Sequence, residues 1–187
     1  MSGKKGRLAW TLALAVLAGA LVYFNLSGPS RPAAAAQTAQ YASDAPLGYR
    51  VGEQLPDFTL EQTNGETFTL SAQRGRVVVI NLWATWCTPC VNELPYFDRL
   101  QRENPDGLRV LAIHSDLITD DVDAYLARFD YGIDFAVDTT GEVIAAVGGS
   151  TMLPQTLVLN ARGEVVYNQV GSVTHEALAE LAQAAGE

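Results

Sequence analysis

The hydrophobic pattern after residue 50 alternates between continuous apolar runs and helical spacing. Val77–Leu82 (VVVINL) and Leu108–His114 (LRVLAIH) are continuous apolar runs of the kind found in strands that are buried on both faces. The segment from Thr88 to about Asn104 is typical of a helix, and Pro95 inside it predicts a kink. These segments predict a buried sheet with at least one helix packed against it.

Shorter segments on either side extend the same alternation. Thr119 is expected to cap a helix in which Val122, Tyr125, Leu126 and Phe129 share one face. The other predicted elements are strands at Phe58–Leu60, Thr67–Leu70, Ile133–Val137, Thr156–Leu159 and Val165–Val170, hairpin turns at Asn64-Gly65 and Arg162-Gly163, and helices at Gly141–Val147 and Thr174–Ala185. The order β-β-β-α-β-α-β-α-β-β-α predicts an α/β fold, a mixed sheet flanked by helices.

The N-terminal segment has a different pattern. Leu8–Leu26 contains 19 residues without a charge, and Lys4, Lys5 and Arg7 precede it. A helix of this length approaches the ~30 Å hydrocarbon core, and the preceding cations predict a cytoplasmic N-terminus with the rest of the chain outside. A cleaved signal peptide, after which the domain would be secreted, is the alternative interpretation. The predicted organisation is an anchor or signal segment at 1–26, a flexible linker at 27–48 and one domain at 49–187.

The charge distribution excludes one class of partner. The chain from Ser27 onward contains nine arginines, no lysine and all 21 acidic residues, so its formal charge is 9 − 21 = −12. Nucleic acids and anionic lipids are bound through positive charge. We therefore expect no nucleic-acid partner.

Two cysteines carry the candidate chemistry. Cys87 and Cys90 directly follow the predicted buried strand and open the predicted helix, where unpaired N–H groups favour a thiolate over a thiol. The thiolate is the attacking species in disulfide exchange, so Cys87 is predicted to attack a partner disulfide and Cys90 to resolve the mixed disulfide. Pro89 suits the first turn of a helix. A zinc site would need two more ligands, and His114 and His175 do not have zinc-site spacing.

Several separate motifs resemble the thioredoxin superfamily and, within it, the membrane-tethered TlpA/ResA branch of thiol–disulfide oxidoreductases. WATWCTPC at Trp83–Cys90 is similar to the family active site, and Pro95 falls where the family helix kinks. Pro154 in TMLPQTLVLN matches the family's cis-proline. The segment PDFTLEQTNGETFTL resembles the extra N-terminal β-hairpin of this branch. The resemblance covers about residues 50–187.

This resemblance implies roles for individual residues. Cys87 would be the nucleophile and Cys90 the resolving thiol, with Pro154 holding a substrate groove and the Leu153 backbone pairing with a bound peptide. Glu93 matches a proton-handling acid of the ResA-like branch, although a surface glutamate favoured by the helix dipole is the other interpretation. The predicted groove comprises Trp86, Thr88, Pro89 and Leu153. The chain departs from the family pattern in two places: Asn81 stands where thioredoxin has a buried Asp, and Leu153 where β-branched residues or threonine are more usual.

The predicted function is reduction of disulfides in extracytoplasmic proteins, in the setting of cytochrome c maturation or copper-centre assembly. The predicted partners are a protein disulfide substrate and a membrane electron-donor reductase; we expect a monomer with no cofactor beyond the cysteines. A thiol oxidant is one alternative, because potentials in this fold range from about −120 to −270 mV. A copper chaperone using Cys87, Cys90 and His114 is another, but those proteins resemble C-x-x-x-C-P. A peroxiredoxin is a third, with Ala84 in place of its threonine.

Overall fold

The computed structural model describes Tyr49 and residues 51–115, 121–149 and 152–186. The predicted anchor or signal segment at 1–26 and the linker at 27–48 lie outside these residues. Within the described part of the chain, no helix combines the length and the apolar character needed to cross a bilayer.

A five-stranded mixed sheet forms the centre of the domain. Its strands are β3 (Val77–Trp83), β4 (Leu108–Ser115), β5 (Asp134–Asp138), β6 (Gln155–Leu159) and β7 (Val165–Val170). Their spatial order is β5-β4-β3-β6-β7, in which β3, β4 and β5 are parallel while β6 and β7 are antiparallel to their neighbours. All residues of the central strand β3 are buried, as its continuous apolar run predicts.

An additional hairpin precedes this sheet, as the sequence predicts. Strands β1 (Thr59–Glu61) and β2 (Thr67–Thr69) are antiparallel, and Gly65 has the positive φ of 82° that their turn requires. The hairpin is attached to the edge of the main sheet, because the Thr63 N–H donates to the Phe135 carbonyl of β5 at 2.8 Å. A short 3-10 turn, Leu70–Gln73, leads into β3.

Four helices lie along the described chain. They are α1 (Thr88–Glu103), α2 (Val122–Leu126), α3 (Glu142–Ala146) and α4 (His175–Ala185). Pro95 is inside α1, and the helix continues through it to Glu103. Thr174 caps α4 by accepting the Ala177 N–H at 3.2 Å. The element order therefore confirms the predicted fold class.

Helix α2 is shorter than the sequence predicts. Its N-cap is Asp121, whose Oδ1 accepts the Ala124 N–H at 2.9 Å, and the predicted cap Thr119 lies outside the described residues. The helix ends at Leu126, so Phe129 does not join the buried face and is 45% exposed. The prediction for Phe129 is wrong because its ring stacks on Tyr131 and contacts Tyr125 near the surface instead of entering the core.

Alternation along β3 divides the core into two layers. Val77, Val79 and Trp83 face the layer that contains α1 and α4, and the intervening residues Val78, Ile80 and Leu82 face the hairpin and α3. Asn81 shares the first face. A single polar residue in an otherwise apolar strand is thereby directed at helix α1.

Candidate active site

The two cysteines lie where β3 ends and α1 begins, and they form a disulfide. Cys87 is the N-cap of α1, and its Sγ accepts the Cys90 N–H at 3.4 Å. Pro89 occupies the first turn of the helix, where a backbone N–H would have no acceptor within the helix, so the N–H that proline lacks is not needed. When the disulfide is reduced, the N–H groups of this turn favour a thiolate at Cys87.

The two cysteines differ in burial, as do the two tryptophans that lie close to them in the sequence, Trp83 and Trp86. Cys90 is fully buried, while Cys87 keeps 5% of its surface exposed and is flanked by the exposed Thr88 and Pro89. Trp83 is fully buried in the core, whereas Trp86 is 50% exposed beside the disulfide. An approaching partner would therefore contact Trp86 and reach Cys87 before Cys90.

Pro154 lies next to the disulfide end of β3. Leu82 of β3 pairs with Gln155, the first residue of β6, so Pro154 directly precedes β6 at the end of the sheet where β3 leads to the cysteines. The Leu153–Pro154 peptide bond is cis, as the motif predicts. Leu153 is half-buried against both core layers, and Met152 before it is 56% exposed. The predicted groove residues thus occupy the same end of the sheet as the cysteines.

Glu93 is a buried acid on helix α1, one turn beyond Cys90. Only 1% of its surface is exposed, which rules out the surface-glutamate interpretation. Its Oε1 accepts the Asn81 Nδ2–H at 3.0 Å, and its Oε2 accepts the Val173 N–H at 3.1 Å. Burial raises the pKa of Glu93 to about 7, even though both hydrogen bonds lower it. A carboxyl group with this pKa can hold or release a proton near neutrality.

Asn81 connects Glu93 to the rest of the sheet. Its Nδ2 also lies 3.3 Å from Thr156 Oγ1 on β6, whereas its buried Oδ1 has no hydrogen-bond partner among the described residues. Because an amide does not titrate, Glu93 is the ionisable member of this network.

His114 lies at the end of β4, opposite Trp83 in the sheet register. Its Nε2 accepts the Thr85 N–H at 3.3 Å, and its ring meets Trp83 edge-on with centroids 5.2 Å apart. Among the described residues, no group of three or more His, Cys, Asp or Glu side chains is arranged to hold a metal ion. His114 thus contacts the loop before Cys87 through Thr85 and the end of β3 through Trp83.

Two contacts of the site escape sequence reasoning. Thr156 reaches Asn81 from the neighbouring strand, and Val173 contributes a backbone N–H that carries no residue-type signal. A register between β3 and β6 would have pointed to Thr156, because it pairs directly with Asn81. Val173 comes from a loop 80 residues away, and nothing local in its sequence indicates the contact.

This fold, together with a redox pair at a helix N-terminus beside a cis-proline, defines a thiol–disulfide oxidoreductase of thioredoxin type. A sequence profile of the Redoxin family matches residues 50–185. The thioredoxin-like protein YneN of Bacillus subtilis is 33% identical over 138 residues, which cover 72% of this chain and 80% of YneN. The thiol-disulfide oxidoreductase ResA of Halalkalibacterium halodurans is 31% identical over 133 residues, 71% of this chain and 75% of ResA.

A solved structure shows the same architecture. The thiol:disulfide interchange protein of the thioredoxin family from Chlorobium tepidum is 25% identical, with a TM-score of 0.65 over 74% of this chain and 99% of that one. The chain therefore belongs to the Redoxin family, in the TlpA/ResA-like branch of the thioredoxin superfamily.

Proposed function

We propose that this oxidoreductase works as a reductant of disulfides in extracytoplasmic proteins. The carrying observation is the pairing of a reachable Cys87 with a fully buried Cys90 above the buried acid Glu93. This arrangement gives the two thiols different tasks, because a partner can meet the first sulfur while the second is held back for the internal step.

The proposed reaction begins with the reduced dithiol. The Cys87 thiolate attacks one sulfur of the partner disulfide, so a mixed disulfide forms and one partner thiolate leaves. The Cys90 thiolate then attacks Cys87 Sγ, which releases the second partner thiolate and forms the Cys87–Cys90 disulfide. Two electrons pass to the partner, whose two sulfurs leave as thiolates and take up protons.

Glu93 is the proposed proton acceptor for Cys90 before the resolving attack. A general base works best when its pKa is near the operating pH, and burial raises the pKa of Glu93 to about 7. Glu93 follows Cys90 by three residues in α1, so the two side chains share one side of the helix. In the reverse direction, the protonated carboxyl would return the proton.

The proposed groove for the partner chain comprises Trp86, Thr88, Pro89, Leu153 and Pro154. Trp86 offers an exposed aromatic surface, and Thr88 and Pro89 are also exposed. The Leu153 backbone, just before β6 begins, would pair with an extended peptide in the manner of an added strand.

The proposed setting is the outer side of a bacterial cytoplasmic membrane. The cations before the apolar segment at 8–26 support an anchor with the domain outside, joined by the linker at 27–48. A solved relative, 25% identical with a TM-score of 0.62, is described as an exposed lipoprotein thioredoxin of Streptococcus pneumoniae. A monomer at that surface would receive its electrons from a membrane reductase and act in cytochrome c maturation or copper-centre assembly.

The deciding experiment is the reduction potential of the Cys87–Cys90 couple, measured by equilibration with dithiothreitol. A value near that of thioredoxin, about −270 mV, is expected for a reductant. A value near about −120 mV would instead indicate a thiol oxidant.

A trapping experiment tests the order of the two cysteines. Cys90→Ser, incubated with native insulin whose disulfides are intact, should accumulate a mixed disulfide between Cys87 and insulin, because the resolving thiol is missing. The matched variant Cys87→Ser should accumulate none. Trapping by Cys87→Ser and not by Cys90→Ser would reverse the assignment of the two roles.

A further inference from the structure

Two separate hydrogen-bonded routes connect Glu93 to the chain segment that contains Pro154. The first runs from Glu93 through Asn81 to Thr156, two residues beyond Pro154 on the same chain segment. The second runs through the loop between β7 and α4: Val173 donates its N–H to Glu93, and Gly171 donates its N–H to the Pro154 carbonyl at 2.8 Å. Together they form a closed ring of contacts between the buried acid and the groove.

The loop at 171–174 is held at both ends. Gly171 has a φ of 110°, a conformation that favours glycine, and this turns its N–H toward Pro154. Thr174 at the other end caps helix α4. Val173 lies between them and is 6% exposed, so its N–H is removed from water and depends on Glu93 for its hydrogen bond.

The hydrogen bond from Val173 depends on the charge of Glu93. A hydrogen bond to a carboxylate is roughly twice as strong as one to a neutral acid, so protonation weakens the attachment of the loop. In the disulfide form the groups around Glu93 carry no charge: Asn81 from β3, and Thr156 from β6 through Asn81. Cys90, one turn earlier on α1, does not titrate while it is bonded to Cys87. The nearest titratable residue at the start of α4, His175, lies 3.7 Å from Glu103, and no charged side chain among the described residues contributes to the pKa of Glu93.

We propose that the β7–α4 loop couples the proton state of Glu93 to occupancy of the groove beside Pro154. A carboxylate holds Val173 and thereby the loop that supports the Pro154 carbonyl; a neutral acid loosens both. Because such coupling is reciprocal, a peptide in the groove must change the proton affinity of Glu93 by the same factor. The inference rests on the proposed role of Glu93 as a proton acceptor and adds that substrate binding adjusts it.

The first test is a pH titration that records the protonation of Glu93 and the response of the loop amides in the same sample. In the full-length chain purified in detergent, the side-chain carboxyl ¹³C signal of Glu93 and the amide ¹⁵N signals of Val173 and Gly171 are recorded against pH. All three are expected to share one midpoint near 7. In Glu93→Gln, whose amide oxygen still accepts a hydrogen bond, the two amide signals should no longer move in that range.

Variants of Val173 separate the two routes. Val173→Pro removes the donated N–H, so the Gly171 signal should lose its pH dependence. The matched variant Val173→Ala keeps the N–H and should retain that dependence, although it also loses apolar packing.

The second test places a peptide in the groove and needs no change in the loop. Cys90→Ser is modified at Cys87 with glutathione, by reaction with glutathione disulfide, or with a methylthio group, by reaction with methyl methanethiosulfonate. Both adducts carry a disulfide at Cys87, but only one carries a peptide. A fivefold coupling, which is modest for linked sites, gives a difference of about 0.7 pH units between the two Glu93 midpoints.

The outcomes distinguish this inference from the proposed function. If Glu93 titrates near neutrality while Gly171 and Val173 do not follow, or if the two adducts share one midpoint, the coupling is refuted and the proton role stands. If Glu93 does not titrate between pH 5 and 9, a range of about two pH units on either side of 7, both fail together.

Discussion

Two buried acids in this domain have opposite surroundings. Asp134 on β5 is held by Arg109 of β4, whose Nη2 donates to Oδ1 at 2.7 Å while Nε donates to Oδ2. Glu93 has only neutral donors, Asn81 and Val173. Burial raises the pKa of both acids, but at Asp134 the guanidinium opposes the rise. The cation beside Asp134 favours its charged form and ties it to the fold, whereas Glu93, among neutral donors, has no such partner for its charge and can exchange a proton near neutrality.

The largest expected effect is on the pH dependence of stability. The raised pKa of Glu93 means that its stabilising contribution is complete below about 4.5 and is lost as the pH rises through about 7. At about 1.4 kcal/mol per pH unit, the loss is about 3 kcal/mol. Urea unfolding between pH 4.5 and 8 should show a fall that is about 3 kcal/mol larger in the wild type than in Glu93→Gln, which still contains the other raised acid, Asp134. The matched control Glu103→Gln, an exposed acid, should fall like the wild type. Parallel curves for the wild type and Glu93→Gln would show that Glu93 is not the group responsible.

The next effect is on catalysis. Glu93→Gln should slow reduction of insulin disulfides about 100-fold, the lower range for loss of a general base, and should remove the rate inflection near pH 7. Stopped-flow measurement of the reduced protein from pH 5 to 9 gives both quantities. Glu93→Asp keeps a carboxyl group on a side chain that is shorter by one methylene. It should recover part of the rate and show an inflection in the dependence of rate on pH. Equal rates for Glu93→Gln and the wild type would rule out the proposed proton role.

A smaller effect on stability is expected from breaking the ion pair between Arg109 and Asp134. Arg109→Met leaves Asp134 buried without its cation and should cost about 2 kcal/mol in the free energy of unfolding, less than a fully buried pair because the Arg109 side chain is 31% exposed. The control is Arg99→Met, which breaks the exposed pair with Glu103 and should cost less than about 0.5 kcal/mol. The reduction potential should be unchanged in both variants. A changed potential in Arg109→Met would mean that the two acids are not independent.

The smallest effect concerns the positioning of Glu93. Asn81→Leu removes the hydrogen bond to Oε1 and should raise the pKa of Glu93 by about one pH unit, equivalent to about 1.4 kcal/mol. Carboxyl ¹³C titration measures it. Thr156→Val, which leaves the Asn81 bond to Glu93 intact, should shift the midpoint much less. A larger shift in Thr156→Val than in Asn81→Leu would place the main support of Glu93 on β6.

Local patterns determined most of the fold and the reacting atoms. The continuous apolar run of β3, the hairpin turn at Gly65 and the capped helix α4 each lie where short-range periodicity and turn chemistry predict. The cysteine pair is predictable for the same reason, because its chemistry depends on the helix that begins beside it, whereas Pro154 is assigned only through the family motif that it matches. The end of α2 and the exposure of Phe129 could not be predicted from local patterns, because the stacking of the Phe129 ring on Tyr131 decides them.

Only the tertiary structure decided what surrounds Glu93. Its position three residues after Cys90 is visible in the sequence and is equally compatible with a solvent-exposed acid. Burial, the Asn81 amide and the Val173 N–H come from β3 and from a loop 80 residues away. The pKa of a carboxyl group depends on how much water and which donors lie within a few ångströms, and that neighbourhood is assembled by chain segments that the linear sequence keeps apart.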